Sequence, residues 1–316
     1  MGIDINVLSL FDGISCGRVA LERARIKVDN YFASEVDPYA MSISAYNYPS
    51  TIQLGDVQLL DDEQLKKLPK IDLLIGGSPC QDLSSSNVWT EKKGLEGKKS
   101  SLFFEYVRVL NYLKNKNPNI KFLLENVGSA KNKDKEIIDR ELGVKGVPFN
   151  SSILSAQNRN RVYWTNIEFE VPKCRKEVYL QGLLESHVED KYYLTQKMYD
   201  CIISPATKGW QSGKMEIDLK IARPLTATMH KMHRADTDNY VSTNYKPEGK
   251  TNVRRLTPLE CERLQTLKDN YTKYGIKNNK EVLISDTRRY MSLGNGWTVD
   301  VIAHILSFIE KENTYE

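Results

Sequence analysis

No stretch of this 316-residue chain approaches the roughly 18 to 20 consecutive apolar residues that cross a bilayer, so a membrane-spanning helix is not expected. The opening "MGIDINVLSLF" begins at once on alternating strand residues. Neither a signal peptide nor a myristoylation site is expected from it. Cysteine is sparse: Cys16, Cys80, Cys174, Cys201 and Cys261 are odd in number, scattered and without CxxC spacing. That argues against a disulfide framework and a cysteine-rich zinc site, and it fits a reducing cytoplasm. Histidine is scarce too, at four residues. The HxxH of His230 and His233 lacks further ligands at suitable spacing, so no metal is expected. The fingerprint GxGxxG is missing, which argues against an NAD-type dinucleotide site. Repeats and low-complexity tracts are absent as well.

What is present suits a soluble globular chain, expected to be monomeric, with 27% charged and 40% apolar residues. The net charge of +4 permits a polyanionic partner without requiring one. From Gly128 to Trp164 there are seven Lys/Arg against four Asp/Glu, while from Asn166 to Lys250 the balance is thirteen against twelve.

The first half alternates strand and helix patterns: "INVLSLF", "CGRVALERARI", "NYFASEV", "PYAMSISAYNY", "TIQLGDV", "DDEQLKKL", "IDLLIGG", "SLFFEYVRVLNYLKN", "IKFLLENV", "DKEIIDRELG". Short apolar strands separated by helices predict an α/β fold with a doubly wound, mainly parallel sheet. Ligands in such sheets lie beyond the carboxyl ends of the strands. There the sequence places Phe11–Gly17, Glu35–Asp37, Gly55–Val57, Gly76–Cys80 and Glu125–Val127. After "QNRNRVYWTN" the alternation fades. Residues 166–250 read as a small irregular domain, and 1–165 with 251–316 as the larger one. Thr257 and Glu260 predict a capped helix at "TPLECERLQTL". "GNGWTVDVIAHILSFIEK" predicts a turn and an amphipathic helix.

Chemistry follows from those strand ends. A glycine-bearing first turn lets backbone amides approach a ligand, and Glu35 stands about 20 residues on, where a carboxylate grips ribose hydroxyls. Asp56 is placed to bond an exocyclic amine. Together they fit a single-nucleoside cofactor such as S-adenosylmethionine. Cys80, in the loop after an apolar strand, is a candidate nucleophile that needs activation, since a free thiol with pKa ~8.5 is only slightly ionised at neutral pH. Glu125 is a candidate hydrogen-bonding acid, and Arg159 and Arg161, two apart in an extended segment, are candidate clamps for carbonyl oxygen or phosphate.

In order, "FDGISCG", "SEVDPYA", "GDV", "GGSPCQDLS", "SLFFEYVRVL", "ENV", "QNRNRVYW", "RRLTPLECERLQ" and "LGNGWTVDVI" make the chain resemble the C5-cytosine DNA methyltransferase family. The wording is similar above all to the animal de novo branch, on a compact architecture like that of bacterial and phage enzymes. Two departures stand out: Ser15 and Cys16 replace glycines common in the first turn, and Val36 replaces a common tryptophan. The resemblance implies a Rossmann-like S-adenosylmethionine-dependent fold and double-stranded DNA as partner. It implies that Cys80 attacks C6 of a flipped cytosine, with Glu125 at N3 and N4, Arg161 at O2 and Arg159 supporting it. It further implies a cofactor site of Phe11, Gly13, Ile14, Glu35, Val36, Asp56, Val57, Pro79, Leu102, Asn295 and Trp297. DNA would meet Lys92, Lys93, Lys98 and Lys99 in a closing loop, and Ser85, Ser86 or Asn87 would fill the vacated base position. Residues 166–250 would be a target-recognition domain, with Arg223, Lys231 and Arg234 as readers. The alternatives are a transfer-RNA cytosine methyltransferase, whose branch carries a CFT element absent here, and a catalytically inactive scaffold paralogue, which would lack the nucleophile or cofactor acids present here.

Overall fold

The computed structural model describes residues 4–79, 102–203, 216–231 and 233–309. Cys80, Ser85, Ser86, Asn87, Lys92, Lys93, Lys98 and Lys99 lie outside them. Apolar runs form the strands and amphipathic stretches the helices, in the order β1 (Ile5–Leu10), α1 (Cys16–Arg23), β2 (Val28–Ser34), α2 (Pro38–Asn47), β3 (Ile52–Gln53), α3 (Asp62–Lys66), β4 (Leu73–Gly77), α4 (Leu102–Lys116), β5 (Lys121–Val127), α5 (Asn132–Leu142), β6 (Val147–Asn150) and β7 (Asn160–Thr165). The seven strands form one sheet in the order β3-β2-β1-β4-β5-β7-β6. Pairings from β3 through β5 are parallel, and β7 runs antiparallel to both neighbours. The mainly parallel, doubly wound α/β sheet is thus observed. Its reversed strand is the "NRVYWT" segment, where the sequence alternation fades.

After β1 the chain turns to β2 on one flank, while β4 lies on the other. This reversal opens a crevice at the carboxyl ends of β1 and β4. Helix α4 buries Phe103, Tyr106, Val107, Leu110 and Leu113, the i, i+3, i+4 rhythm of one apolar face. Gly76 accommodates this packing, because a Cβ there would stand 3.0 Å from the Tyr106 ring and from the Leu10 carbonyl.

Two compact units emerge: Met1–Asn150, Asn160–Lys173 and Val299–Glu316 form the first, Ser151–Arg159 and Cys174–Thr298 the second. Residues 251–298 fall within the second unit. That unit contains β8 (Tyr193–Thr195), α6 (Gln196–Ile203), β9 (Tyr240–Ser242), β10 (Lys250–Arg255), α7 (Pro258–Leu264), β11 (Tyr274–Lys277), β12 (Lys280–Leu283) and α8 (Asp286–Asn295). An antiparallel sheet β8-β10-β9 packs over Leu194, Ile202, Ala235, Tyr240 and Val253, and β11 pairs with β12 as a hairpin.

Buried charge holds α7. Thr257 caps it through the predicted box with Glu260. The fully buried Glu260 carboxylate also takes the Arg254 guanidinium at 2.7 and 2.8 Å and the Glu185 amide at 2.8 Å. Glu262, likewise buried, accepts from Arg289 at 2.9 Å and from the Thr272 amide at 2.8 Å. The chain then returns to the first unit as α9 (Val299–Leu306), which packs along α1 with an Arg23–Asp300 ion pair. No described helix is long and apolar enough to cross a membrane.

Candidate active site

At the end of β1, Phe11, Gly13 and Ser15 all take left-handed backbone conformations, with φ of 57°, 59° and 60°. For serine such a conformation costs on the order of 1–3 kcal/mol. The buried Ser15 hydroxyl offsets it by bonding Asp12 at 2.6 Å and the Ser44 hydroxyl at 2.6 Å. Side-chain hydrogen bonds thus do in this turn what a glycine's freedom would do. Asp12 also accepts from the Tyr31 hydroxyl at 2.6 Å. Burial pushes the Asp12 carboxyl upward against the pull of these bonds, and burial beside Asp12 raises the Tyr31 phenol.

Glu35, just past β2, ties the loops together: one oxygen accepts the Gly13 amide at 2.7 Å, the other the Val36 and Asp37 amides at 2.8 and 2.9 Å. Asp56 caps a short 3-10 turn, Val57–Leu59, accepting the Gln58 amide at 3.0 Å. Val57 and Ile14 are buried, whereas Val36 is 65% exposed. Phe11 and Leu102 are partly buried against the sheet core. Before Gly13 and Gly55 there is open space: a Cβ on either would meet nothing within 4 Å. Open room, two carboxylates and an exposed aliphatic side chain at consecutive strand ends fit a nucleoside carrying a ribose and an amine.

Across the crevice, Glu125 on β5 sits opposite Gly77 of β4, whose chain continues as Ser78, Pro79 and Cys80. The nearly buried Glu125 carboxylate accepts from Arg161 Nε of β7 at 2.7 Å. Register explains the meeting, since Arg161 pairs with Val127, two residues along the same face from Glu125. Arg161 also donates to the Asn160 carbonyl at 2.8 Å, leaving its side chain 15% exposed. Next to Glu125, buried Asn126 donates to the Ser78 hydroxyl at 3.0 Å and thereby anchors the segment leading to Cys80.

Other candidates lie in the second unit. Arg159, buried, gives its guanidinium to the carbonyls of Leu225, Gly294 and Gly296 at 2.9, 3.1 and 3.0 Å. It therefore clasps the turn that carries Asn295, which is exposed, and Trp297, which is half-buried. Gly294 is required in this turn, since a Cβ there would lie 2.2 Å from the backbone of Thr226 and Ala227. Arg223 pairs with Glu216 at 2.5 Å, and Arg234 with Asp238 at 2.7 Å. Lys231 is exposed. His233 accepts from Arg255, and no cluster of three or more metal-ligating groups occurs among the described residues.

A family model described as C-5 cytosine-specific DNA methylase matches residues 5–311. The chain belongs to that family. Among its relatives, this methylase is 29% identical to the type II methyltransferase M1.ScrFI of Lactococcus lactis subsp. cremoris, over 94% of this chain and 75% of that protein. It is 28% identical to the type II methyltransferase M.NlaX of Neisseria lactamica, over 95% of this chain and 94% of that protein. In fold it is similar to the solved structure of the Entamoeba histolytica methyltransferase EhMeth, with a TM-score of 0.71 and 17% identity over 98% and 99% of the two chains. The chain is thus a DNA cytosine-5-methyltransferase on an S-adenosylmethionine-dependent methyltransferase fold.

Within the methylase, the sequence places Asn126, Ser78 and Asp12 in the strand-end segments but assigns none of them a role of its own. Asn126 had a signal in the "ENV" triplet, where a polar residue interrupts an apolar strand. Asp12 likewise sat inside the quoted first turn. Neither showed which neighbour it would bond, because those neighbours are 48 and 19 residues away.

Proposed function

We propose that this methylase modifies C5 of a cytosine, flipped from duplex DNA at a defined sequence, through a covalent bond between Cys80 and C6. The observation that carries the reading is the Glu125–Arg161 pair at the strand ends beside the segment that runs to Cys80. Taking the base out of the stack costs about a few kcal/mol and exposes its Watson–Crick edge. Glu125 then bonds N3 and the exocyclic N4, while Arg161 holds O2 and keeps the carboxylate aimed. Attack by the Cys80 thiolate at C6 gives C5 enamine character, without which C5 is a poor nucleophile. Methyl transfer to C5, loss of the C5 proton and expulsion of Cys80 restore the aromatic ring.

S-adenosylmethionine supplies an electrophilic methyl group when bound. In this reading Glu35 holds the ribose hydroxyls, Asp56 the adenine amine and the Gly13 loop the amino-acid end, with Val36 against the ring. Phe11, Ile14, Val57, Pro79, Leu102, Asn295 and Trp297 complete that site. Base reading is assigned to the second unit, and the lysines of 92–99 to phosphate contact. Modification in partnership with a restriction enzyme agrees with the type II names of the relatives.

Bisulfite sequencing of plasmid from cells making the chain tests this. We expect one recurrent methylated word in plasmid from the wild type and none from Cys80→Ser, whose S-adenosylmethionine affinity should stay within a few fold. DNA with 5-fluorocytosine in that word should trap a denaturant-stable adduct. An unmethylated plasmid, or normal turnover by Cys80→Ser, would overturn the proposal.

A further inference from the structure

The arginines of the second unit are not equally free to meet DNA. Arg159, Arg223, Arg234, Arg254, Arg263 and Arg289 all give their guanidinium groups to carboxylates or carbonyls within the unit. Arg255 differs. Among the described residues its hydrogen-bond partner is the His233 ring, with Nη2 at 2.8 Å from Nε2 and 3.2 Å from Nδ1. Burial first and Arg255 second hold the His233 pKa down to about 4, so at neutral pH the imidazole is an uncharged acceptor. A neutral partner orients a guanidinium without neutralising it. Of the five N–H donors, one on Nη2 goes to His233, and the second Nη2 N–H with either Nε or Nη1 completes one two-donor edge for a ligand.

These groups line a small cleft of about 30 Å³. Arg255 lies directly opposite Tyr240 in the β10–β9 register, and the His233 ring tilts against the Tyr240 ring at 6.2 Å between centroids. Pro224, Leu225, Met229 and Leu256 add apolar wall. The carboxylate of Asp238, paired with Arg234, also lines the cleft. A cleft with apolar sides and a nearby carboxylate disfavours a phosphate, which wants cations and water around it. It suits a planar edge with two adjacent acceptors.

We propose that Arg255, oriented by His233, reads the O6/N7 edge of a guanine in the recognition sequence, a base-reading role that the sequence alone suggests for Arg223, Lys231 and Arg234. The proposal rests on the DNA-methylase reading above. It matches the bidentate geometry by which arginine distinguishes guanine from other bases in the major groove.

The test profiles methylation across a duplex library randomised around the target cytosine, for the full-length wild type, Arg255→Met and Arg255→Lys. Wild type should require guanine at a given position. Both variants should lose about tenfold or more of that discrimination, while the other positions of the word are kept. Replacing that guanine by 7-deazaguanine should slow the wild type but not Arg255→Met. Thermal midpoints exclude loss of folding as the cause, and Arg255→Lys keeps the charge while removing the fork. An unchanged profile overturns the proposal. So does uniform weakening over all sequences with a salt dependence shallower by about one ion, the mark of a phosphate contact. If the wild type methylates no member of the library, the methylase reading itself fails and the proposal falls with it.

Discussion

Each unit contains arginine–glutamate pairs, yet they are built for different ends. In the second unit Arg254–Glu260 and Arg289–Glu262 are enclosed, their carboxylates at 0% exposure and surrounded by further amide and hydroxyl donors. In the first unit Glu125–Arg161 lies at the rim of the sheet, with side chains 11% and 15% exposed. An enclosed pair has met its costs on folding and has nothing left to offer a ligand. A rim pair lies within reach of whatever enters the crevice. Position relative to the carboxyl edge of the sheet, more than residue type, separates the scaffold pairs from the pair proposed to act on the base.

The largest expected effect breaks the rim pair. Glu125→Gln keeps size and polarity but loses the charge that holds Arg161, and methyl transfer should fall by about 10²- to 10⁴-fold, the range typical of a catalytic acid or base. Its denaturation midpoint should stay close to that of the wild type. A loss of stability comparable to that from breaking an enclosed pair would erase the distinction drawn above.

Next comes the enclosed pair. Arg254→Met leaves Glu260 charged and unpaired in the interior, and urea denaturation should show a loss of about 3–5 kcal/mol. Adding Glu260→Leu removes the stranded charge, and the double variant should recover much of that loss, apart from the Thr257 and Glu185 bonds to Glu260. No recovery would mean that the pair stabilises the unit through geometry rather than by neutralising charge.

A smaller effect appears only in acid. The folded chain holds His233 down to about 4 by burial, against an ordinary value of 6.5. Between those values the unfolded chain takes up a proton that the folded chain refuses, so stability should fall as pH drops through that window. Urea midpoints measured from pH 7 to 4.5 should decline less steeply in His233→Gln than in the wild type. Equal slopes would show that His233 protonates without cost in the folded chain.

The alternating first half was legible because each strand is a short apolar run and each helix carries one apolar face, as in "FFEYVRVL" of α4. Strand ends then located Glu35, Asp56 and Glu125 by rule, and the family wording named the chemistry. The second unit was opaque for a physical reason. Its order comes from contacts between distant residues, such as Arg159 reaching Leu225 and Gly294, rather than from local periodicity. Arg223 and Arg234 looked available because sequence displays a charge without its partner. Glu216 and Asp238 already hold them.

The sheet unit is interrupted along the chain: its last helix, α9, follows the whole second unit in sequence. During synthesis at about 5–20 residues per second, the face of α1 that α9 covers waits roughly 15–60 s for its partner to emerge. Val299, Val301, Ile302, Ile305 and Leu306 are the large apolar side chains that α9 buries. The nascent sheet therefore spends that interval with an open apolar seam, which makes this step of its biosynthesis the one that chaperones or low temperature should most assist.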